Sequence, residues 1–156
     1  MIQRVQSLYL FIVSIMMLLM FFFPIAGYYG DFETLKFTLL SVENLIPDST
    51  IGFSPYTSYP LLLFVVGIFI MSVAIITLYK YRLRQMKLIK IVILLNVILI
   101  IGIFIVYSRW LKSVSVGGES FDTAAFFPLI SLVFLILAYR GVHKDEKLIR
   151  SADRLR

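Results

Sequence analysis

The stretch Tyr59–Lys87, YPLLLFVVGIFIMSVAIITLYKYRLRQMK, decides how the chain is read. Its first 21 residues, Tyr59–Tyr79, carry no charge. A helix of about 20 apolar residues rises ~30 Å, the thickness of a bilayer's hydrocarbon. The next segment, Lys80–Lys87, holds Lys80, Arg82, Arg84 and Lys87 and no acid. A spanning helix running into a short basic loop is the pattern of a cytoplasmic hairpin.

Three further stretches extend the pattern. Ser7–Ile25 has 19 uncharged residues. Leu88–Tyr107 carries only Lys90, close enough to one end to snorkel. Ala124–Tyr139 is short at 16 residues, and is expected to borrow a turn from Phe121–Thr123 or to thin the bilayer. The expected fold is an all-α integral membrane domain over residues 1–156, a bundle of four transmembrane helices. Outer loops span 26–58 and 108–123, a cytoplasmic loop spans 80–87, and a tail spans 140–156. Composition agrees: the 156 residues are 60% apolar and 15% charged, against roughly 45–50% and about 25% in soluble domains. Mean hydropathy is +0.95. A cleaved signal peptide is the alternative for the first stretch. Its apolar run is long for that role, Arg4 is the only charge before it, and Ala26-Gly27 is a poor cleavage site.

Basic residues set the orientation. With the N-terminus inside, the inner segments hold 12 of the 15 Lys and Arg, and the outer loops hold Lys36, Arg109 and Lys112. The outer loops also take six of the nine acids: Asp31, Glu33, Glu43, Asp48, Glu119 and Asp122. Both termini are therefore expected in the cytoplasm. Tyr28, Tyr29, Tyr56, Tyr59 and Trp110 fall at the outer boundary, where an aromatic belt belongs. The net charge of +6 borders apolar spans, so the expected partner is a bilayer with anionic headgroups and not nucleic acid.

In the first outer loop, Leu35, Phe37 and Leu39 alternate with polar residues, a strand signal. Ser113-Val114-Ser115-Val116 alternates in the second, ahead of a turn at Gly117-Gly118-Glu119. The loops are read as a small β cap on the outer face, with two irregular loops as the alternative. The tail, His143–Arg156, places Leu148, Ile149, Ala152 and Leu155 on one arc flanked by Lys144, Lys147, Arg154 and Arg156. An amphipathic helix on the inner leaflet or against a partner is expected. Asp145-Glu146 reads as a solvated acid pair.

Four polar residues lie inside the spans at one depth. Ser14, Ser72, Asn96 and Ser131 each sit about 12 Å from the inner boundary, one per helix. An amide in hydrocarbon needs partners, so Asn96 is expected to face the bundle interior. Interhelical bonding is one reading of this layer, and a small polar site for a ligand or solute is the other. Ionisable residues, which mark most transport sites, are missing from the span cores. Gly67 and Ala74 share a helix face that would permit close packing.

No HExxH, GxSxG, P-loop or GxGxxG pattern is present. The absence of cysteine excludes disulfides and thiolate metal sites, and His143 is the only histidine. No catalytic residue, metal or cofactor is expected.

The opening Met1-Ile2-Gln3-Arg4-Val5-Gln6-Ser7-Leu8-Tyr9-Leu10 and the ending Lys144–Arg156 resemble those of a family of short four-helix inner-membrane proteins of Bacteroidota, known as a domain of unknown function. The resemblance implies the cytoplasmic membrane of a Gram-negative bacterium, with the outer loops in the periplasm. It draws attention to the cytoplasmic edge. Arg4, Lys80, Arg82, Arg84, Lys87, Arg150, Arg154 and Arg156 are expected to form a docking or anionic-lipid surface, together with Gln3 and Gln6. The expectation is a non-enzymatic accessory or scaffold subunit of a larger inner-membrane assembly, with protein translocation or secretion as a candidate host. The alternative is a small lipid- or solute-binding protein using the layer around Asn96.

Overall fold

A computed structural model of the chain describes residues 3–30, 34–46, 55–78, 81–115 and 118–153. Helix α1 (Gln3–Leu19) leads into strands β1 (Ala26–Tyr29), β2 (Thr34–Phe37) and β3 (Val42–Asn44). A 3-10 turn at Pro55–Ser58 opens α2 (Tyr59–Thr77), and α3 (Arg82–Ile101) returns. A π-helical turn, Gly102–Tyr107, joins α3 to α4 (Ser108–Ser115). Strand β4 (Gly118–Phe121) then precedes the 31-residue α5 (Thr123–Asp153). Helices α1 and α3 each pack against both α2 and α5, which closes a four-sided bundle. The C-terminus of α1 and the N-terminus of α5 both abut the sheet, so neighbouring helices run antiparallel. The bundle therefore has a sheet end and a loop end.

Among the described residues, three helical stretches are long and apolar enough to cross a membrane: Tyr56–Thr77, Arg82–Ser113 and Thr123–Leu148. They make the chain a membrane protein in outline. Helix α1 is shorter than the span expected over 7–25, stopping at Leu19. Pro24 has no N–H to donate and disfavours helix at Phe23. The chain turns instead, with Phe21, Phe22 and Phe23 bonded back to Leu18 and Leu19, and Ile25 N–H donating to the Phe37 carbonyl. At the other extreme, α5 is longer than expected. The tail is helical to Asp153, but it continues the helix of residues 124–139 and is not a separate helix laid on a leaflet. The side chains of Ile149 and Ala152, and all of Leu155, lie outside the described set.

A seven-residue rhythm organises the core. Buried positions are 61, 65, 68, 72 and 75 on α2, and 85, 89, 92, 96 and 99 on α3. On α5 they include 124, 128, 131, 135, 138, 142 and 145, and on α1 they include 6, 10, 13 and 17. Alternating steps of three and four are the spacing of knobs-into-holes packing between antiparallel helices. The same rhythm brings polar side chains inward at Gln6, Ser72, Gln85, Asn96, Ser131 and Asp145. Gly67 and Ala74 lie off it. A Cβ on Gly67 would meet nothing within 4 Å, so that face is not a close helix contact.

The sheet has the order β3-β2-β1-β4, all antiparallel. Its bundle-facing side carries Ala26, Tyr28, Leu35 and Phe37. The Phe37 ring stacks on Tyr107 at 5.2 Å, and Phe121 meets Phe104 at 4.8 Å. The expected β cap is thus present, with one segment misplaced. Ser113, Val114 and Ser115 end α4, and the strand begins at Gly118, where a turn was expected. Once α3 has nucleated, each added helical residue gains a hydrogen bond at little cost, and two apolar–polar alternations cannot outweigh that. Tyr28 is also not part of a belt, because it is buried under the sheet.

Glu119 pairs with Tyr28 across β1 and β4, and so faces the bundle. Its carboxylate accepts from Ser108 Oγ at 2.7 Å and from Lys112 Nζ at 2.8 Å. Those bonds hold its carboxyl below the usual carboxylate range. Burial, then the nearby Glu119 charge, pushes the Tyr28 phenol up to about 12. At the loop end, Gln6 Nε2 donates to Asp145 Oδ2 at 2.6 Å, with both residues buried. This ties the start of α1 to α5. Gly141 makes room for it, because a Cβ there would lie 2.8 Å from Gln6 Cγ.

Two outcomes follow for stability. A depressed carboxyl stabilises the fold above the ordinary glutamate range and loses that contribution as pH falls through the folded value. A raised phenol stabilises below its ordinary 10 and loses that contribution as pH rises toward 12. Unfolding temperature in detergent should therefore fall at both extremes, with Glu119→Gln reducing the acid limb and Tyr28→Phe the alkaline one. Separately, Gly141→Ala should displace Gln6 and cost about 1–2 kcal/mol. Adding Gln6→Ala to it should cost less than the sum of the two single changes, measured by chemical denaturation.

Candidate functional site

The four polar residues expected at one depth are all buried. Each lies on a different helix of the bundle: Ser14 on α1, Ser72 on α2, Asn96 on α3 and Ser131 on α5. Ser14 Oγ donates to the Leu10 carbonyl of its own helix at 3.0 Å. Asn96 Nδ2 donates across the bundle to the Pro128 carbonyl at 2.9 Å. The amide thus bonds α3 to α5 one turn from Ser131. Among the described residues, the Asn96 Oδ1 atom and the hydroxyls of Ser72 and Ser131 are buried without a hydrogen-bond partner. Serine hydroxyls in a helix can turn back onto their own backbone at small cost. An amide oxygen has no such recourse and needs a donor from outside its helix.

The loop end divides the expected docking residues. Arg84 and Lys87 are exposed on the first turns of α3, and Arg82 is half-buried. The basic segment expected as a loop is therefore largely helix. The Arg84 guanidinium lies 5.1 Å from the Tyr81 ring centre. Lys90, Arg140, Lys144 and Lys147 add exposed cations on α3 and α5. The Lys90 ammonium sits 5.4 Å from the Tyr139 ring centre, a cation–π contact that the snorkelling reading did not foresee. Arg4 and Arg150 lie on helical backbone, with side chains outside the described set. Lys80, Arg154 and Arg156 fall outside the described residues.

Two polar residues of the edge do not belong to a docking surface. Gln6 is buried against Asp145, and Gln85 is buried with Nε2 3.4 Å from the Ile75 carbonyl. Asp145 is likewise not a solvated acid. The missed signal is spacing. Gln6 stands four residues before Leu10, Gln85 four before Ile89, and Asp145 three after Val142, each continuing its helix's buried rhythm.

The arrangement offers two kinds of chemistry. A sealed central layer can hold helices together or take a small polar group that donates to Asn96. An exposed band of cations at one end can take phosphate or carboxylate. Among the described residues, no three His, Asp or Glu side chains group as a metal site.

No curated protein and no solved structure matches the chain. The family described as Domain of unknown function (DUF4293) matches residues 2–155, nearly the whole length, and the chain belongs to that family.

Proposed function

We propose that the protein is a non-enzymatic accessory or scaffold subunit of a larger bacterial inner-membrane assembly, with protein translocation or secretion as the host process. The chain crosses the membrane four times, with both termini cytoplasmic, in the inner membrane of a bacterium of the Bacteroidota. The observation that carries the reading is how polar chemistry is distributed. Inside the bundle it is closed off from the surface, and part of it is used in contacts such as Asn96 to Pro128 and Gln6 to Asp145. On the surface it collects as a cationic band, with Arg84, Lys87, Lys90, Arg140, Lys144 and Lys147 exposed at the loop end. Such a band meets anionic headgroups, and acidic segments of partner proteins dock on the same charge. Helix α1 has 17 residues, about 25 Å of rise. It crosses if the bilayer thins or if Met20–Pro24 completes the path.

The second reading rests on the Asn96 Oδ1 atom, buried without a donor among the described residues. It makes the central layer a site for a small polar solute or a lipid headgroup.

Native purification from mild detergent separates these readings. A stoichiometric partner complex should survive Asn96→Leu and be lost when Arg84→Glu and Lys87→Glu are combined. A protein recovered alone from several detergents would overturn the accessory-subunit reading. Topology has its own test, made clean by the absence of native cysteine. In intact cells, an impermeant maleimide should label Glu43→Cys and spare Lys147→Cys until the membrane is opened. The reverse pattern would overturn the orientation.

A further inference from the structure

At the sheet end, an apolar groove of about 310 Å³ opens between the start of α2 and the π-helical turn. It is lined by Thr57, Pro60, Val106, Tyr107 and Trp110. The walls are fixed from behind. The Tyr107 hydroxyl donates to the Thr57 carbonyl at 2.5 Å, and its ring is held between Phe37 and an edge-on Trp110. The π turn ending at Tyr107 locally changes the helix rhythm, a feature frequently found at functional sites. The groove lies at the sheet-side ends of two apolar stretches able to cross a membrane, where an apolar wall meets lipid near its headgroups.

Charge identifies that lipid further. Arg109 follows Val106 by three residues and precedes Trp110, so it shares the helix face of the groove wall, one turn nearer the sheet end than Val106. It is exposed and has no carboxylate partner among the described residues. The neighbouring cations differ. Lys112 is paired with Glu119, and Lys36 stands opposite Glu43 across β2 and β3. A long cationic side chain near a helix end reaches for the interface, where the phosphates are.

We infer that this groove binds one anionic phospholipid, with an acyl chain along Val106, Tyr107 and Trp110 and its headgroup phosphate on Arg109. The site is at the opposite end from the cationic band, and it stands independently of the accessory-subunit reading. A groove of this volume is at the small end of ligand sites, about 300–1,000 Å³, which suits a length of one acyl chain.

Trp110 is the only tryptophan in the chain, so fluorescence excited at the red edge, where tyrosine does not absorb, reports on the groove alone. The full-length protein is placed in nanodiscs of phosphatidylcholine that contain a small fraction of either dibrominated phosphatidylglycerol or dibrominated phosphatidylcholine. Bromine quenches tryptophan on contact. Phosphatidylglycerol should quench with about fivefold higher apparent affinity, the effect of one Arg at an anionic surface. Half-molar salt should reduce that preference. Arg109→Gln should bring the ratio near one, while Arg84→Gln at the far end should leave it unchanged. Val106→Phe, which fills the groove, should weaken quenching by both lipids. Equal quenching in the wild type, a preference that survives Arg109→Gln, or one lost on Arg84→Gln would each overturn the assignment.

Discussion

Everything in this fold depends on four helices keeping one buried face in register over their whole length. In lipid, the hydrophobic effect does not drive helices together, because the tails are as apolar as leucine. Packing and hydrogen bonding between helices must do it. The steps of three and four residues supply the packing, with Leu61, Val65 and Ile68 on α2 facing the interior alongside Ile89, Val92 and Leu99 on α3. The hydrogen bonds fall on the same face. Gln6 to Asp145 closes one end, Asn96 to Pro128 the middle, and Glu119 to Ser108 the other end. A slip of one residue on α1, α3 or α5 would turn one of these groups into hydrocarbon, where an unsatisfied polar group costs several kcal/mol.

This constraint explains what could be read beforehand. Charge-free length marks the helices, since a bilayer demands it, and charge asymmetry marks their ends. The buried face itself is nearly invisible to hydropathy. Leu63 and Leu94 point outward and Leu61 and Leu99 point inward, yet all four are leucine. Only the polar residues break that degeneracy, which is why Asn96 and its layer were legible. Asp145 and Gln6 were not, because at a helix end a polar residue looks like one leaving the membrane. Their burial depends on α5 running on past Gly141, a tertiary matter of where α1 begins.

The sheet was legible in half. The alternation around Leu35 reflects a strand with one face on the bundle, a local property. The pairing of β4 with β1 is not local. It requires α4 to end and the chain to return beside residues already placed, and Ser113 to Ser115 follow the helix that precedes them. The groove at Trp110 lay deeper still. It needs the π turn, the start of α2 and the Phe37 strand brought together, and none of these announces itself as a site.

The order of strands has a consequence for how the protein is made. Strand β1 is internal, flanked by β2 and by β4. Its first partner follows within a few residues, but Gly118 emerges 89 residues after its register partner Tyr29. At about 5–20 residues per second, one edge of β1 waits about 5–20 s for its mate while α2, α3 and α4 are synthesised. During that interval the nascent chain presents an open strand edge with Tyr28 uncovered. Completion of the sheet is therefore a late event, one that requires α2, α3 and α4 to have been made first.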